Sequence, residues 1–283
     1  MTNLRLLKFY LHNLRGDPIM SSKVHLDQGL DYLPEELRYL HWHGYPLRTL
    51  PTNLSTDKLV VLNLPCSNVE LLWEEKKEAF KLKSVDLCNS QNLTRMPDLS
   101  ETPNLERMYL LNCTNLPFIS SSIENLNNLS MLRLEGCKIL GPFPAFISLS
   151  LTNLEVLDLA HCKRLNRLSA SICKLKSLSW LRLYNCSKLE SFPGILENMA
   201  RLEYIDLRLT AIKELPSSVE HLEGLKELRM EYCYKLSKLP DNLGSLRSLK
   251  RLHTGKSAIS QLPSSIADLK QVDGLSFYGC RGL

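Results

Sequence analysis

Few residues in this chain have both the type and the spacing that chemistry demands. Gly255-Lys256-Ser257 resembles the end of a phosphate-cradling loop, but the glycine such a loop needs five residues before Gly255 is Lys250. His41 and His43 lie two apart, as ligands on one strand face would, yet no carboxylate or cysteine stands near them in sequence to complete a metal site. The nine cysteines contain no C-x-x-C pair and no zinc spacing, so neither a redox dithiol nor a metal is expected from them. No Ser/His/Asp series or paired carboxylate stands out. Catalysis, a cofactor and a bound metal are therefore not expected. One cluster suits recognition of another protein instead. It comprises Trp180, Arg182, Tyr184, Tyr204, Asp206, Arg208, Glu227, Arg229, Glu231, Tyr232, Arg251 and His253. Trp, Tyr and Arg combine large contact area with a polar end and dominate interface energetics. A solvated face whose aromatics are incidental and whose charges pair among themselves is the competing reading.

A repeat positions these residues. The frame L-x-x-L-x-L-x-x-C/S/T-x-x-L aligns segments that begin at Leu37, Leu59, Leu82, Leu105, Leu129, Leu154, Leu178, Leu202, Leu225, Leu249 and Val272, spaced 22–25 residues apart. An irregular opening unit starts at Leu4. We expect an α/β repeat fold, a leucine-rich-repeat solenoid or horseshoe. Its parallel strands form the concave face and short helical turns the convex one. It spans 1–283 in about twelve repeats, with 1–36 irregular and 37–283 regular. Within x-L-x-L-x, alternate residues face opposite sides of a strand. The leucines at the fourth and sixth positions turn inward. The third, fifth, seventh and eighth positions face solvent, and they carry the aromatic and charged cluster. The same positions are plain in early units, as in Ser84, Asp86, Cys88, Asn89, Arg107, Tyr109, Leu111 and Asn112.

Six cysteines (Cys113, Cys137, Cys162, Cys186, Cys233 and Cys280) occupy the ninth position, where other units place Ser67, Ser90, Thr210 or Ser257. This implies an inward ladder of small, free thiols that satisfy loop amides, suited to a reducing compartment. The recurring Leu-Pro, Met-Pro or Phe-Pro step (Leu50-Pro51, Met96-Pro97, Phe143-Pro144, Phe192-Pro193, Leu215-Pro216, Leu239-Pro240, Leu262-Pro263) predicts a one-turn helix with proline in its first position.

Composition agrees with this reading. Hydrophobic residues at 44% and charged residues at 23% describe a foldable chain, and a net charge of +5 without a basic block argues against nucleic acid as a partner. No membrane contact is expected, because every apolar run is broken by charge. Met1 to Lys8 lacks the apolar stretch of a secretory leader. Sequons at Asn53, Asn92, Asn112, Asn128 and Asn185 would suit an extracellular ectodomain. Against that, Asn112 and Asn185 directly precede ladder cysteines.

The segment Leu33 to Pro51, the run Lys58 to Trp73 and Pro97-Asp98-Leu99-Ser100-x-x-Pro103-Asn104-Leu105-Glu106 together resemble the first repeats of plant TIR–NB–LRR immune receptors. The opening Met1 to Lys8 is similar to that family's approach to its repeats. The resemblance implies a cytoplasmic or nucleocytoplasmic receptor in plant defence, switched by nucleotide. Its repeats would sense a pathogen effector or a guarded host protein, or hold an intramolecular nucleotide-binding domain off. It also implies assembly through a NAD-cleaving TIR domain. Neither a TIR nor a nucleotide-binding domain occurs within the chain, nor a β-sandwich after the repeats, so no catalytic residue of the family carries over. The chain thus reads as an excised repeat region, a truncated product or a decoy. A standalone cytosolic scaffold is the alternative. The last unit stops at Leu283 without a polar cap, so the chain alone is expected to aggregate or be marginally stable. A monodisperse, cooperatively unfolding 283-residue preparation would contradict that.

Overall fold

The computed structural model describes residues 3–10, 26, 29–145, 147–280 and 282–283. It falls into two compact units, Met1–Lys138 and Ile139–Leu283. The first carries strands β1 (Leu6–Phe9), β2 (Tyr39–Trp42), β3 (Val61–Asn63), β4 (Ser84–Asp86), β5 (Arg107–Tyr109) and β6 (Met131–Arg133). Each pairs parallel with the next. The second carries β7 (Val156–Asp158), β8 (Trp180–Arg182), β9 (Tyr204–Asp206), β10 (Glu227–Arg229), β11 (Arg251–His253) and β12 (Gly274–Ser276), again parallel and in chain order. This is a parallel-strand solenoid built on the predicted frame.

Register follows from the leucines. Fourth-position residues stand directly opposite one another, as in Leu157↔Leu181, Leu181↔Ile205 and Ile205↔Leu228, so each row stacks into one core. Leu157, Leu181 and Leu252 and the sixth-position Leu159, Leu183 and Leu207 are fully buried. Each such side chain contributes about 2 kcal/mol of apolar transfer energy. In β12, Leu275 is 46% exposed although its partner Leu252 is buried.

The chain leaves each strand through a turn that the leucine frame does not reveal. The eighth position of every regular unit has positive φ: Gly44, Cys66, Asn89, Asn112, Gly136, His161, Asn185, Leu209, Tyr232, Lys256 and Gly279. Its amide donates to the seventh-position carbonyl of the following unit, as in Asn89 to Leu111 O (2.6 Å) and Tyr232 to Gly255 O (2.8 Å). The eighth residue is thus a left-handed hinge rather than another site on the strand. Glycine and asparagine adopt this conformation readily; leucine, tyrosine and lysine are held there against steric preference.

The ladder sits immediately after that hinge. Cys113, Cys137, Cys162, Cys186 and Cys233 are fully buried and all are free thiols. They meet the expected loop amides, as where Cys137 accepts from the Cys113 amide and Cys186 from that of Cys162, and they also donate to carbonyls. Cys113 Sγ donates to Leu87 O (3.2 Å), Cys137 Sγ to Leu110 O (3.2 Å), Cys186 Sγ to Leu159 O (3.1 Å) and Cys233 Sγ to Leu207 O (3.0 Å). The reason is lone-pair accounting. Leu110 O already accepts the amide of Cys113 in its own unit (3.2 Å), and the thiol of the next unit takes the second lone pair. Where serine holds the ladder place the same bond recurs, Ser67 N donating to Ser90 Oγ (3.2 Å). In the first regular unit Tyr45 holds the ladder place, fully buried, with its hydroxyl donating to Thr49 O (3.0 Å).

Helical turns are fewer than the prolines predict. Short 3-10 turns run over Ser121–Ile123, Ala170–Lys174, Ser217–His221, Leu243–Ser245 and Ser264–Asp268, and one α-turn over Ile147–Ser150. None follows Pro51, Pro97 or Pro193. Pro216 and Pro263 stand before the turn, not in its first position, because their ψ of 150° and 144° is extended. A small residue, then serine, then Ile or Val marks four of these turns more faithfully than proline does, with Ser120 and Ser169 accepting the amides of Ser122 and Ser171 at two of their starts.

Two outcomes follow. Leu209→Asn relieves the left-handed leucine and should raise stability by about 1 kcal/mol in urea unfolding, while Asn185→Val should lower it by a similar amount. Burial pushes the thiols of Cys137 and Cys186 up to about 12 and that of Cys233 up to about 11, against 9.0 for a free thiol. Only the unfolded chain releases these protons just above pH 9. The ladder's stabilisation should therefore be complete below pH 9 and fall as pH rises from 9 toward 12. A flat alkaline limb in stability against pH would contradict this.

Candidate protein-binding surface

The cluster singled out in the sequence lies within the second unit, on β8 to β11 and the turns after them. Third-position residues are neighbours across the sheet: Trp180 opposite Tyr204, Tyr204 opposite Glu227, and Glu227 opposite Arg251. The Trp180 and Tyr204 rings stack at 3.8 Å with 17° between planes, and Trp180 remains 42% exposed. Stacking of this kind is worth about 1 kcal/mol beyond area and fixes both rings before any partner arrives.

Fifth and seventh positions form a second layer. Asp206 is fully buried, so it offers nothing to solvent itself. Its carboxylate accepts Arg208 Nε (2.9 Å) and Nη2 (2.6 Å) in a two-pronged pair, and also the Arg208 amide (3.1 Å). Asp158 and Asp86 accept the amides of Ala160 (3.0 Å) and Cys88 (2.8 Å) in the same way. A fifth-position aspartate thus closes the strand-to-turn transition. The Asp206 carboxylate holds the Arg208 guanidinium charged, and that group lies 4.8 Å above the Tyr184 ring. Arg182 pairs with Asp158 (3.2 Å) and sits 5.7 Å from the same ring.

Farther along, Arg229 pairs with Glu231 (2.8 Å) and Arg251 with Glu227 (3.6 Å). Burial, then the Asp206 charge, raises the Tyr204 phenol above its ordinary value. Two buried atoms in the middle of this layer, Arg229 Nε and Glu231 Oε2, make no hydrogen bond. Arg229 Nε faces Glu227 Oε1 at 3.9 Å, so the charge of this layer is paired even where the hydrogen bond is not made. His253 is half-buried on β11 beside Arg229.

Sequence reasoning missed the groups just past the strand ends. Tyr234 and Tyr278 are 65% and 76% exposed, and the Lys256 ammonium lies 5.0 Å from the Tyr232 ring and 5.9 Å from that of Tyr278. Lys256 was read only as part of a false phosphate loop. Its left-handed φ of 58°, which no local sequence feature announces, turns the side chain toward those rings. In the first unit, Tyr10 packs on His41 (4.6 Å), and burial, with the His43 charge, pulls His41 below the ordinary imidazole value. No group of three or more metal-ligating side chains occurs among the described residues. Nor, among them, is any helix long and apolar enough to cross a membrane.

A family profile described as a leucine-rich repeat region matches residues 81–230, just over half the chain. The chain belongs to the leucine-rich-repeat family. Within it, the disease resistance protein RPP2A of Arabidopsis thaliana is 43% identical over 150 residues, covering 53% of this chain and 11% of that protein. The disease resistance protein RPV1 of Vitis rotundifolia is 41% identical over 142 residues, covering 44% of this chain and 10% of that one. The matched stretches thus span only about a tenth of these relatives. The similarity is to the repeat region of plant TIR–NB–LRR disease resistance proteins. Solved structures agree in fold: a TDR receptor superposes with a TM-score of 0.62 at 21% identity over 87% of this chain and 44% of that one. The leucine-rich-repeat domain of the type III effector XopL does so with 0.58 at 21% identity, over 83% and 75%.

The leucine-rich-repeat sheet predicts a contrast between its arginines. Arg208→Ala strands a fully buried carboxylate and should destabilise by about 3 kcal/mol in urea unfolding. Arg251→Ala removes a side chain that is 58% exposed and should change stability by less than about 0.5 kcal/mol.

Proposed function

We propose that these repeats are the recognition region of a plant disease resistance protein, acting in defence by binding another protein rather than by catalysis. The observation that carries this reading is the Trp180–Tyr204 stack, with Trp180 42% exposed, on the same sheet as arginines already fixed by carboxylates. A rigid aromatic pair beside guanidiniums supplies contact area without the ordering entropy that flexible side chains lose. The natural partners are a pathogen effector or a guarded host protein. Within a full-length receptor, its own nucleotide-binding domain would compete for the same face, and the setting is the cytoplasm. Glycosylation fits poorly, since Asn112 Nδ2 donates to Asn89 Oδ1 (2.9 Å) and Asn185 Nδ2 lies 3.0 Å from His161 Nδ1.

In a receptor reconstructed around these repeats, Trp180→Ala combined with Arg229→Ala should weaken effector binding at least ten-fold, or release autoinhibition, as loss of a hot-spot pair does. If effector response and autoinhibition both persist unchanged, the strand face is not the recognition surface.

A further inference from the structure

We propose that Tyr232, Tyr234, Lys256 and Tyr278 form a second binding surface, at the C-terminal ends of β10 to β12, that takes an acidic, aromatic-bearing peptide segment. The proposal shares Tyr232 with the cluster on β8 to β11 but otherwise stands apart from it, because Tyr234, Lys256 and Tyr278 lie past the strand ends.

Three observations converge on it. The first is placement against preference. Eighth positions elsewhere are mostly glycine or asparagine, residues at ease with positive φ, yet here Tyr232 (φ 62°) and Lys256 (φ 58°) occupy them. The turn imposes that conformation in every regular unit, so what sets these two positions apart is the long side chain each projects. The second is how the surroundings accommodate it. A Cβ on Gly279 would stand 3.2 Å from Lys256 Cγ, and one on Gly255 would stand 3.0 Å from Tyr278 O, so the two glycines leave room for the lysine stem and the neighbouring backbone. Tyr232 and Tyr234 meet edge to face at 6.3 Å, and Lys256 reaches both the Tyr232 and Tyr278 rings.

The third is charge. Arg208, Arg229 and Arg251 on the neighbouring strand face all have carboxylate partners. Lys256 has none among the described residues; its ammonium rests on ring faces alone. Beside it runs an open groove of about 740 Å³, walled by Tyr234, Ser257, Ala258 and Tyr278. A glutamate or aspartate reaching into this groove meets an unpaired cation, while an aromatic or apolar neighbour lies on the exposed tyrosines. A basic segment would meet like charge, and a purely apolar one would leave the ammonium unused.

The test uses the full chain with tyrosine-selective ¹³C labels, titrated with capped Glu-Glu-Phe-Glu-Glu and with capped Gln-Gln-Phe-Gln-Gln. The expected result is saturable shifts at Tyr232, Tyr234 and Tyr278, with the glutamine peptide binding at least five-fold more weakly. Lys256→Asn keeps a residue suited to the turn. It should weaken the acidic peptide at least three-fold while raising the melting temperature by roughly 1–3 °C. Equal binding of the two peptides, undiminished affinity in Lys256→Asn, or shifts confined to Tyr184 and Tyr204 would each overturn the proposal.

Discussion

A strand of three residues cannot satisfy its own backbone, and in this protein the sixth- and eighth-position amides that a strand and its turn leave open are taken up by the adjacent unit. Sixth-position amides donate to fifth-position carbonyls one unit on, as Leu183 does to Asp206 O (2.8 Å), and eighth-position amides donate to seventh-position carbonyls. Ninth-position side chains then return toward the preceding unit. An isolated repeat would leave all of these groups to water while burying too little leucine to compensate. The fold therefore depends on reciprocal satisfaction between neighbours, and the leucine rows are the apolar half of the same arrangement.

That dependence explains which positions are free. The fourth, sixth and ninth are committed to the core and to carbonyls. The fifth is partly committed wherever it is aspartate, because Asp86, Asp158 and Asp206 close the turn. The third position carries no such duty, and it is where Trp180, Tyr204 and Arg251 stand. Interaction chemistry in this chain collects at sites the backbone does not need, with the eighth position as the exception: its conformation is fixed and its side chain is not.

Much of this was legible in the sequence. Leu154, Leu157, Leu159 and Cys162 announce their burial because apolar spacing in a strand-and-turn frame has a single solution. The fate of Asp206 was not legible. A charged residue at a solvent-facing position reads as exposed, and only the fork of Arg208 above it shows that the carboxylate is enclosed. The left-handed turn was hidden for a different reason. Backbone conformation at the eighth position is imposed by hydrogen bonds to the next unit, so Leu209, Tyr232 and Lys256 adopt it without any local sequence signal. The helical turns were over-read from proline, whose fixed φ permits a helix start without requiring one; serine and a following Ile or Val mark them better.

Coupling only between neighbours also makes distances along the sheet discrete. The stacked rings begin on β8 and the lysine follows β11, three strands later. Gain or loss of one whole unit between them would change their separation by a single strand spacing, about 4.8 Å, with both sites left intact. Unequal recombination within such a gene would then work as a ruler with fixed graduations, altering the length of partner that spans both sites while leaving the chemistry at either end untouched.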